Sequence, residues 1–533
     1  MKPPLTIDTL CREAGLFAQQ ESRYTENSMS RSKKSQAEYG DFQTPPWLAQ
    51  QVCRLLVAKG LEPASLLEPT CGVGNFLLAA LDHFPQLKQI TATDISSDYV
   101  NQARKRLVPY GGIEQHIFQS DFFTTDWPAI LADLPEPILI VGNPPWVTNA
   151  ALSVLDSDNL PQKENGGQSS GIMAITGGSN FDVSEWIIQR LLDWTAGQDV
   201  TVAMLCKTAV ARKLLHHLWQ NQADVGQAQI HLIDAKAAFA VTVDACLFLY
   251  QTQPQTEAKS CPVFANLSAG QPMSHIGFRN DQLTANIAFY ERWQHLTQSD
   301  QVAYKWRSGI KHDCARVMEL TRLGDVYVNQ IGESYTLEDD YLYPLLKSSD
   351  LANGASAWQD AHQRWLLVPQ QRVGAPTRPL QHNAPRTWAY LQEYGRLLDQ
   401  RKSRIYQNRP RFSIFGVGGY SFAPWKVAIS GLYKSLNFVA VGPIAGKPVM
   451  LDDTCYFLPC ANQPEAELLV DLLNSTAAQE FYQARIFWDA KRPITAKILQ
   501  QLDIMALAQT LGRLDDLLAY TSIDQQPQQL SLL

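Results

Sequence analysis

One stretch decides which fold the sequence predicts: Ile138-Leu139-Ile140-Val141-Gly142-Asn143-Pro144-Pro145-Trp146. Four apolar residues followed by a turn are typical of a buried strand that ends in a loop. The two prolines fix φ at about −65° and hold Asn143 extended. The side-chain oxygen of Asn143 and the main-chain oxygen of Pro144 are adjacent acceptors, which suit an exocyclic amine with two N–H bonds. Trp146 adds a flat ring. Taken alone, Asn-Pro is equally consistent with an ordinary turn.

A glycine-bearing turn and an acidic strand end come earlier in the chain. The run Ser65–Leu81 predicts a strand, a turn and a helix, and Gly72 and Gly74 allow a ligand close to the backbone at the helix N-terminus. A second strand, Gln89–Asp94, ends in an acid, at the place where doubly wound folds bind a ribose. The turn has no third glycine and no lysine, which argues against a dinucleotide site or a phosphate-cradling loop.

A third predicted strand, Gln115–Ser120, is followed by Asp121 and Phe122. An acid and an aromatic ring suit the amino group and the ring face of an adenine, although a turn aspartate before a core phenylalanine has the same pattern. With Asn143, polar residues follow four predicted strands, whose first residues are 23–26 residues apart. Because ligands in open α/β sheets bind at the carboxyl ends of the strands, the repetition predicts one ligand site at that edge.

Length and composition predict a soluble protein of two or three domains. The chain has 533 residues, of which 45% are hydrophobic and 18% charged. It has no apolar run of the roughly 18–20 residues that a membrane helix needs, and no signal-peptide pattern at its start. Its nine cysteines are odd in number and form no C-x-x-C pair. They favour reduced thiols in a cytoplasm over a disulfide framework or a zinc site.

In their order, these motifs resemble the gamma-type amino-methyltransferases of DNA, which methylate N6 of adenine. The segments that carry the resemblance are Phe42-Gln43-Thr44-Pro45, Glu68-Pro69-Thr70-Cys71-Gly72-Val73-Gly74, Asp94, Asp121-Phe122 and Asn143-Pro144-Pro145-Trp146. The resemblance implies an α/β fold: a class I, Rossmann-like methyltransferase with a doubly wound sheet, followed by a mixed α+β target-recognition domain. We therefore predict an N-terminal arm over residues 1–38, a catalytic domain over 39–265 and a target-recognition domain over 266–533.

The resemblance also implies a cofactor, S-adenosyl-L-methionine, and roles for individual residues, without a metal. The implied cofactor-binding residues are Thr44, Glu68, Gly72, Gly74, Asp94, Asp121 and Phe122. The implied catalytic residues are Asn143, Pro144, Pro145 and Trp146, and Trp146 and Phe239 would stack on a flipped target base. The family more often has Tyr or Phe at the position of Trp146. A motif that starts with serine and has a following Trp is usual in cytosine-N4 enzymes, so Asn143 favours adenine whereas Trp146 does not. Methylation of cytosine N4 therefore stays an alternative.

One segment of the chain is strongly basic although the formal net charge of the whole is −7. Residues 361–450 contain 13 Lys and Arg and two acids, a balance of +11, whereas residues 451–533 contain five bases and 11 acids, a balance of −6. A basic face with interleaved aromatic rings suits DNA phosphates, although any solvated basic surface has the same charge. The candidate DNA contacts are Arg401, Lys402, Arg404, Arg409, Arg411 and Lys426.

Other functions share part of this pattern. RNA and protein-glutamine N-methyltransferases also carry Asn-Pro-Pro-aromatic, but they are usually shorter and lack the Phe-x-Thr-Pro element. A DNA-binding subunit without activity is a further alternative, which the intact motifs disfavour. We expect a monomeric, cytoplasmic enzyme of a bacterial or archaeal cell that methylates double-stranded DNA and does not bind membranes. By analogy with the family it belongs to a restriction–modification or phage-defence system, whose cognate restriction endonuclease is a separate protein.

Overall fold

A computed structural model describes six stretches of the chain. They are residues 42–147, 182–221, 226–252, 259–298, 303–353 and 364–521. The chain forms two compact units that divide between Gln282 and Leu283. The predicted arm, residues 1–38, lies outside the described residues. Residues 147–180 are rich in Gly, Ser and Asn, which predicts a long loop, and all of them except residue 147 also lie outside the described residues. The catalytic and recognition roles assigned to the two domains stay predictions.

The first unit is built on a ten-stranded mixed sheet. Its strands are β1 (Ser65–Glu68), β2 (Gln89–Asp94), β3 (Glu114–Gln119), β4 (Ile138–Gly142), β5 (Val200–Lys207), β6 (Gln227–Ile233), β7 (Ala245–Gln251), β8 (Ser260–Phe264), β9 (Ser274–Arg279) and β10 (Gln282–Thr284). They lie in the order β10-β9-β8-β6-β7-β5-β4-β1-β2-β3. Strands β1 to β5 pair in parallel, so their carboxyl ends meet at one edge, and β7 runs antiparallel between β5 and β6. The predicted class I methyltransferase sheet is confirmed.

Seven helices accompany the sheet in the described part of the first unit. They are α1 (Pro46–Ala58), α2 (Asn75–His83), α3 (Ser97–Leu107), α4 (Trp127–Ala132), α5 (Val183–Trp194), α6 (Thr208–Asn221) and α7 (Ala235–Phe239). Helix α1 begins at a proline, whose missing N–H costs nothing there, and buries Leu48, Val52 and Leu56 at helical spacing. Together with α2 it packs against the apolar residues of β1 and β4, which are buried along their whole length. The site is thereby built on a rigid core.

The described residues of the second unit form two smaller sheets. Its strands are β11 (Arg307–Ser308), β12 (Glu319–Leu323), β13 (Val326–Asn329), β14 (Ser334–Tyr335), β15 (Leu342–Leu346), β16 (Arg364–Leu367), β17 (Trp425–Ser430), β18 (Val439–Val441), β19 (Met450–Leu451) and β20 (Cys455–Cys460). One sheet has the order β11-β20-β17-β18 and the other the order β14-β13-β12-β16-β15-β19. Most pairs are antiparallel, and β15 with β19 is parallel. The predicted mixed α+β class is confirmed for this unit.

The described part of the second unit also contains short helices. The α-helices are α8 (Ile287–Trp293), α9 (Ala315–Met318), α10 (Ser348–Asn353), α11 (Leu380–Asn383), α12 (Pro385–Glu393), α13 (Gly395–Asp399), α14 (Gln463–Leu473), α15 (Thr476–Gln483), α16 (Ala496–Leu499), α17 (Ile504–Thr510) and α18 (Leu514–Thr521). Single 3-10 turns lie at Gln294–Leu296, Asp339–Tyr341, Arg404–Tyr406 and Gly419–Phe422.

Two general properties bear on the sequence predictions. The eight cysteines that the structure describes are free thiols, and seven of them are buried. No helix in the described stretches combines the length and the apolar composition that crossing a bilayer requires.

Candidate active site

The glycine loop after β1 is fastened to the end of β2. The main-chain N–H groups of Gly72 and Ser96 each donate a hydrogen bond of 2.8 Å to the carboxylate of Asp94, one to each oxygen. Gly72 and Gly74 have φ values of 51° and 80°, which glycine adopts without strain. A Cβ at Gly72 would also overlap the side-chain amide of Gln43. Three of the predicted cofactor residues, Gly72, Gly74 and Asp94, are therefore together at one edge of the sheet.

The segment before α1 connects this loop to the loop after β4. The Oε1 atom of Gln43 accepts a hydrogen bond of 3.1 Å from a main-chain N–H of the glycine loop. The main-chain oxygen of the buried Thr44 accepts one of 2.7 Å from Nδ2 of Asn75, at the start of α2. The main-chain oxygen of Phe42 accepts one of 3.0 Å from Nδ2 of Asn143. The Phe-x-Thr-Pro element thus holds the predicted cofactor loop and the predicted catalytic loop in one arrangement.

Asn143 follows the last residue of β4, and its amide is oriented. Because Nδ2 donates to the main chain of Phe42, Oδ1 faces away from that bond. This oxygen is buried and accepts no hydrogen bond from any described residue. A buried acceptor without a partner costs about 1–3 kcal/mol, so the loop is built at some expense to stability. The geometry leaves an acceptor for a donor that the described residues do not supply.

Two further unpartnered oxygens lie at the end of β1. Glu68 is 2% exposed, and neither its Oε2 nor Oγ1 of Thr70 has a hydrogen-bond partner among the described residues. Burial raises the pKa of Glu68 well above its ordinary value, and the charge of Asp94 raises it further, while a hydrogen bond with the main chain of Leu77 opposes both effects. A cationic or hydroxyl-bearing ligand beside Glu68 would relieve this cost.

Phe122 lies in an aromatic cluster beyond the end of β3. Its ring centroid is 4.8 Å from that of Trp127 in α4, and 6.0 and 6.2 Å from those of Trp186 and Trp194 in α5. The ring is 7% exposed, and Oδ1 of Asp121 accepts a hydrogen bond of 2.9 Å from the main chain two residues on. Both residues thus also have the turn-and-core arrangement that the sequence left open. Their role in binding an adenine stays a prediction.

Trp146 and Phe239, the two predicted stacking residues, contact each other. Their ring centroids are 5.2 Å apart at an interplanar angle of 74°, and their exposed fractions are 7% and 9%. The indole N–H of Trp146 donates a hydrogen bond of 3.3 Å to the main-chain oxygen of Leu205. Stacking on a base stays a prediction for both residues, and it requires a ring face that neighbouring side chains now largely cover.

Lys207 is a residue at this edge that the sequence analysis misses. Its Nζ donates hydrogen bonds of 2.6 Å to Oδ2 of Asp182 and 3.0 Å to the main-chain oxygen of Trp146. Asp182 is the N-cap of α5, and its other oxygen accepts from Ser184. A signal was present, because Lys207 is the last residue of β5 and extends the series of polar residues at strand ends.

The structure corrects the prediction that Lys426 contacts DNA. Its side chain is buried, at 1% exposure, and Nζ donates a hydrogen bond of 2.7 Å to the main-chain oxygen of Ala423. Burial lowers the pKa of Lys426 to about 7. A phosphate cannot reach this ammonium group in the described arrangement. His312, another basic residue of the second unit, is likewise buried, and its Nε2 lies 3.3 Å from Oε1 of Glu319.

The other predicted DNA contacts differ in their surroundings. Lys402, Arg404 and Arg409 are exposed. Arg411 is also exposed and pairs with Asp399 at 2.8 Å. The guanidinium of Arg401 instead donates to three main-chain oxygens and lies 3.7 Å from the ring centroid of Tyr406. Arg401 therefore supports its loop. Its guanidinium is less available to DNA than the exposed side chains of Lys402, Arg404 and Arg409.

A metal ion has no ready site in the parts of the chain that the structure describes. No group of three or more His, Cys, Asp or Glu side chains there is arranged to hold one.

Comparison with known proteins gives one extensive sequence match. No family model matches the chain. The type II methyltransferase M.NspV from Nostoc sp. (strain ATCC 29411 / PCC 7524) is 43% identical over 479 residues, which cover 90% of this chain and 99% of that protein. The chain belongs to the type II methyltransferases of restriction–modification systems. This type II methyltransferase is thus a DNA methyltransferase, as its motifs predict.

Two solved structures align with this type II methyltransferase at low sequence identity. MmeI, a type IIL restriction–modification enzyme in complex with DNA, aligns at 14% identity and a TM-score of 0.47, over 86% of this chain and 64% of that one. A putative class I S-adenosylmethionine-dependent methyltransferase from Listeria monocytogenes aligns at 14% identity and a TM-score of 0.29, over 42% of this chain and 67% of that one.

The cofactor of a type II methyltransferase is S-adenosylmethionine, and the loops at the strand ends fit its functional groups. The buried unpartnered oxygens of Glu68 and Thr70 are suited to an ammonium or hydroxyl donor. Asp94 ends β2, where a ribose binds in doubly wound sheets. Gly72 and Gly74, both at positive φ, form the turn at the same edge without side chains that would occupy it.

Proposed function

We propose that this type II methyltransferase methylates N6 of an adenine that is flipped out of double-stranded DNA. The observation that carries the proposal is the buried, unpartnered Oδ1 of Asn143, which precedes the main-chain carbonyl of Pro144. An exocyclic amine has two N–H bonds, and these two oxygens are two acceptors on one stiff loop. Because N6 lies within the base stack of a duplex, the base has to leave the stack, at a cost of a few kcal/mol.

The residues of the chain act by orientation and by electrostatics. S-adenosylmethionine, when bound, supplies a methyl group on a positively charged sulfur. The side-chain oxygen of Asn143 and the main-chain oxygen of Pro144 accept hydrogen bonds from the two N6–H groups and so direct the nitrogen lone pair toward the cofactor site. Positive charge develops on N6 as the new bond forms, and the two preorganised carbonyl dipoles stabilise it. The hydrogen bond from Nδ2 of Asn143 to Phe42 fixes the amide in this orientation before the base arrives.

We assign the binding of the cofactor and of the target base to the residues that the sequence predicts for these roles. Asp94 would accept the ribose hydroxyl groups and Glu68 would face the methionine ammonium, with Gly72 and Gly74 lining the approach. Thr44 would act through the main-chain contacts that hold the glycine loop. Asp121 and Phe122 would contact the adenine of the cofactor, and Trp146 and Phe239 would stack on the target base. The exposed Lys402, Arg404, Arg409 and Arg411 would bind DNA phosphates.

Cytosine N4 is the second candidate target. Its amine also has two N–H bonds, so the acceptor pair at Asn143 does not distinguish the two bases. The residue that favours cytosine is Trp146, because Trp is usual at this position in cytosine-N4 enzymes. Adenine is favoured by Asn143 itself, since the cytosine enzymes usually begin the motif with serine.

The decisive experiment measures which nucleoside receives the methyl group. Labelled S-adenosylmethionine and unmethylated mixed genomic DNA are incubated with the protein, and the digested nucleosides are analysed by mass spectrometry. The wild type should form N6-methyladenine, and Asn143→Ala should lose about 10²–10³-fold in rate while it still binds the cofactor. The matched control is Asn101→Ala, because Asn101 is exposed on α3. N4-methylcytosine would overturn the adenine target, and label in RNA or protein alone would overturn DNA as the substrate.

We also propose that the protein acts as a monomer and that its cognate restriction endonuclease is a separate protein. One set of methyltransferase motifs and one second unit occur in the chain, so one copy contains each proposed part once. Light scattering during size-exclusion chromatography should give the mass of one chain, 59.7 kDa. The mass of a dimer would contradict the proposed monomer.

A further inference from the structure

Two loops of the second unit, residues 369–379 and 401–411, lie side by side. Oγ1 of Thr377 in the first loop donates a hydrogen bond of 2.5 Å to the main-chain oxygen of Arg411 in the second. A Cβ built on Gly374 would lie 3.8 Å from Nη1 of Arg409. The two loops therefore form one continuous edge, which we call the paired-loop edge.

Buried and half-buried polar side chains hold the bases of both loops. Gln370 is 4% exposed, and its Nε2 donates to the main-chain oxygens of Arg372 and Ile414 at 3.0 and 3.2 Å. The guanidinium of Arg401 donates to three main-chain oxygens. The hydroxyl of Tyr406 donates a hydrogen bond of 3.3 Å to the main-chain oxygen of Lys311. These bonds fix the loop bases, so the exposed side chains are presented by a rigid scaffold, as recognition loops require.

The exposed side chains of the paired-loop edge are chemically those that bind duplex DNA. The two loops contain seven Arg and Lys residues and no acid. The exposed polar side chains are Gln371, Arg372, Arg378, Lys402, Arg404, Gln407, Asn408, Arg409 and Arg411, of which Arg411 pairs with Asp399. Amide and guanidinium groups form paired hydrogen bonds with base edges, and apolar side chains contact the thymine methyl group. Val373 and Ile405, which are 41% and 38% exposed, supply the apolar component.

We infer that the paired-loop edge reads the sequence of the target DNA, with Gln371 and Asn408 contacting base edges and Lys402 and Arg404 contacting phosphates. This inference rests on the proposed function, because it names where that substrate is recognised. The backbone of Asn408 has a φ of 58°, a left-handed conformation that Asn adopts more readily than most residues. Glycine adopts this backbone conformation as well. Asn408→Gly therefore removes the side-chain amide without straining the turn.

The test compares the sequence preference of the wild type with that of Gln371→Ala and Asn408→Gly. Duplexes are selected for binding from a random pool, and the methylated positions of genomic DNA are sequenced in parallel. Each variant should lose discrimination at one or two base pairs of the site, by about 5- to 150-fold per pair, and should keep its preference elsewhere. The unfolding temperature and cofactor binding of each variant should match those of the wild type.

Two further variants separate base reading from general attraction. Arg404→Ala should weaken binding to all sequences about equally and lower the salt dependence of log K by about one unit. Gln509→Ala removes an exposed amide on α17, outside the paired-loop edge, and should leave the site preference unchanged. If Gln371→Ala and Asn408→Gly both keep the full wild-type preference, the paired-loop edge does not read bases.

The binding selection keeps this inference apart from the proposed function. A wild type that selects a defined duplex but forms no methylated adenine would overturn the proposed chemistry and leave the paired-loop edge to be judged by its variants. If the wild type methylates adenine at a defined site, and Gln371→Ala and Asn408→Gly keep the same site preference, only the inference about the paired-loop edge is overturned.

Discussion

Lys207 donates a hydrogen bond of 2.6 Å to the carboxylate of Asp182, and this pair joins three elements of the proposed active site. The same ammonium group donates to the main-chain oxygen of Trp146, at the end of the proposed catalytic loop. One residue later, the oxygen of Val147 accepts a hydrogen bond of 2.9 Å from Val183, in the first turn of α5. The end of β5, the catalytic loop and the start of α5 are therefore fixed relative to one another.

Replacing Lys207 with methionine should impair turnover more than cofactor binding. Loss of the ammonium frees the carbonyl of Trp146 and with it the position of Asn143, and a displacement of about 1 Å at a reacting centre can cost about 10²-fold in rate. We expect kcat to fall by about this factor in Lys207→Met, whereas the dissociation constant of S-adenosylmethionine changes little. Steady-state kinetics and calorimetry measure the two quantities.

Two variants serve as controls for Lys207→Met. Lys207→Arg keeps the charge and should recover part of the lost rate. Lys213→Met removes a lysine that pairs with Glu185 at the same distance, 2.6 Å, but is itself 56% exposed. Exposed pairs contribute about 1 kcal/mol or less, so its kcat should be unchanged. An equal loss of kcat in Lys213→Met would refute the positioning role of Lys207.

Asp94→Asn should weaken the binding of S-adenosylmethionine. The carboxylate accepts hydrogen bonds from Gly72 and Ser96 and is proposed to accept the ribose hydroxyl groups. Hydrogen bonds to charged groups contribute about 1.5–3 kcal/mol, which corresponds to a rise of about 10- to 150-fold in the dissociation constant. Calorimetry measures it, with Asp98→Asn as the control, because Asp98 is an exposed acid in the first turn of α3. An unchanged dissociation constant in Asp94→Asn would remove Asp94 from the cofactor site.

Local sequence signals predict the first unit well. The strand predicted over Gln89–Asp94 agrees at both ends, and the apolar run from Ile138 is β4. Because parallel strands end at one edge, the polar residues that follow them were expected together, and the bond between Gly72 and Asp94 agrees with this. The β-branched residues Val241, Thr242 and Val243 also favour a strand, but β7 begins only at Ala245, because Ala240 adopts a left-handed conformation after α7.

The second unit depends on contacts that no local pattern carries. Strand β11 is two residues long and pairs with β20, which follows some 150 residues later, so its partner is not visible from the sequence nearby. A count of charges likewise does not give depth, and Lys426 was therefore misassigned. Its neighbours offered a signal, because Val427 and Ile429 are completely buried and continue the same strand as an apolar run.

Lys426→Met should stabilise the protein at neutral and lower pH without changing its affinity for DNA. The pKa of Lys426 is about 7 in the folded chain and 10.5 ordinarily, so between these values the unfolded chain holds a proton that the folded chain lacks. Wild-type stability therefore rises with pH over this window, and the cost of the buried ammonium is greatest below it. The gain in unfolding temperature should be larger at pH 6 than at pH 9.

The matched comparison for Lys426→Met is Lys402→Met, because Lys402 is exposed on the paired-loop edge. Lys402→Met should weaken DNA binding at low salt and leave the unfolding temperature unchanged. If Lys426→Met weakened DNA binding as much as Lys402→Met, the correction made from its burial would be wrong.

Lys347→Met should destabilise the second unit, and the effect should fade in acid. Glu319 is 3% exposed, and Lys347 and His312 lie 2.7 and 3.3 Å from its Oε1. Burial alone would raise the pKa of Glu319, but hydrogen bonds from His312 and Lys347 lower it below 4.5.

The depressed pKa of Glu319 makes its contribution to stability depend on pH. The stabilisation is complete above the pKa that Glu319 has in the unfolded chain, and it is lost as pH falls through the pKa in the folded chain. Removing one partner of such a pair costs about 3–5 kcal/mol. Thermal unfolding should therefore separate Lys347→Met from the wild type more widely at pH 7 than at pH 3. Lys311→Met, which removes a more exposed lysine 3.7 Å from Asp313, should change little at either pH, and an equal separation at pH 7 and pH 3 would mean that the charge on Glu319 contributes nothing.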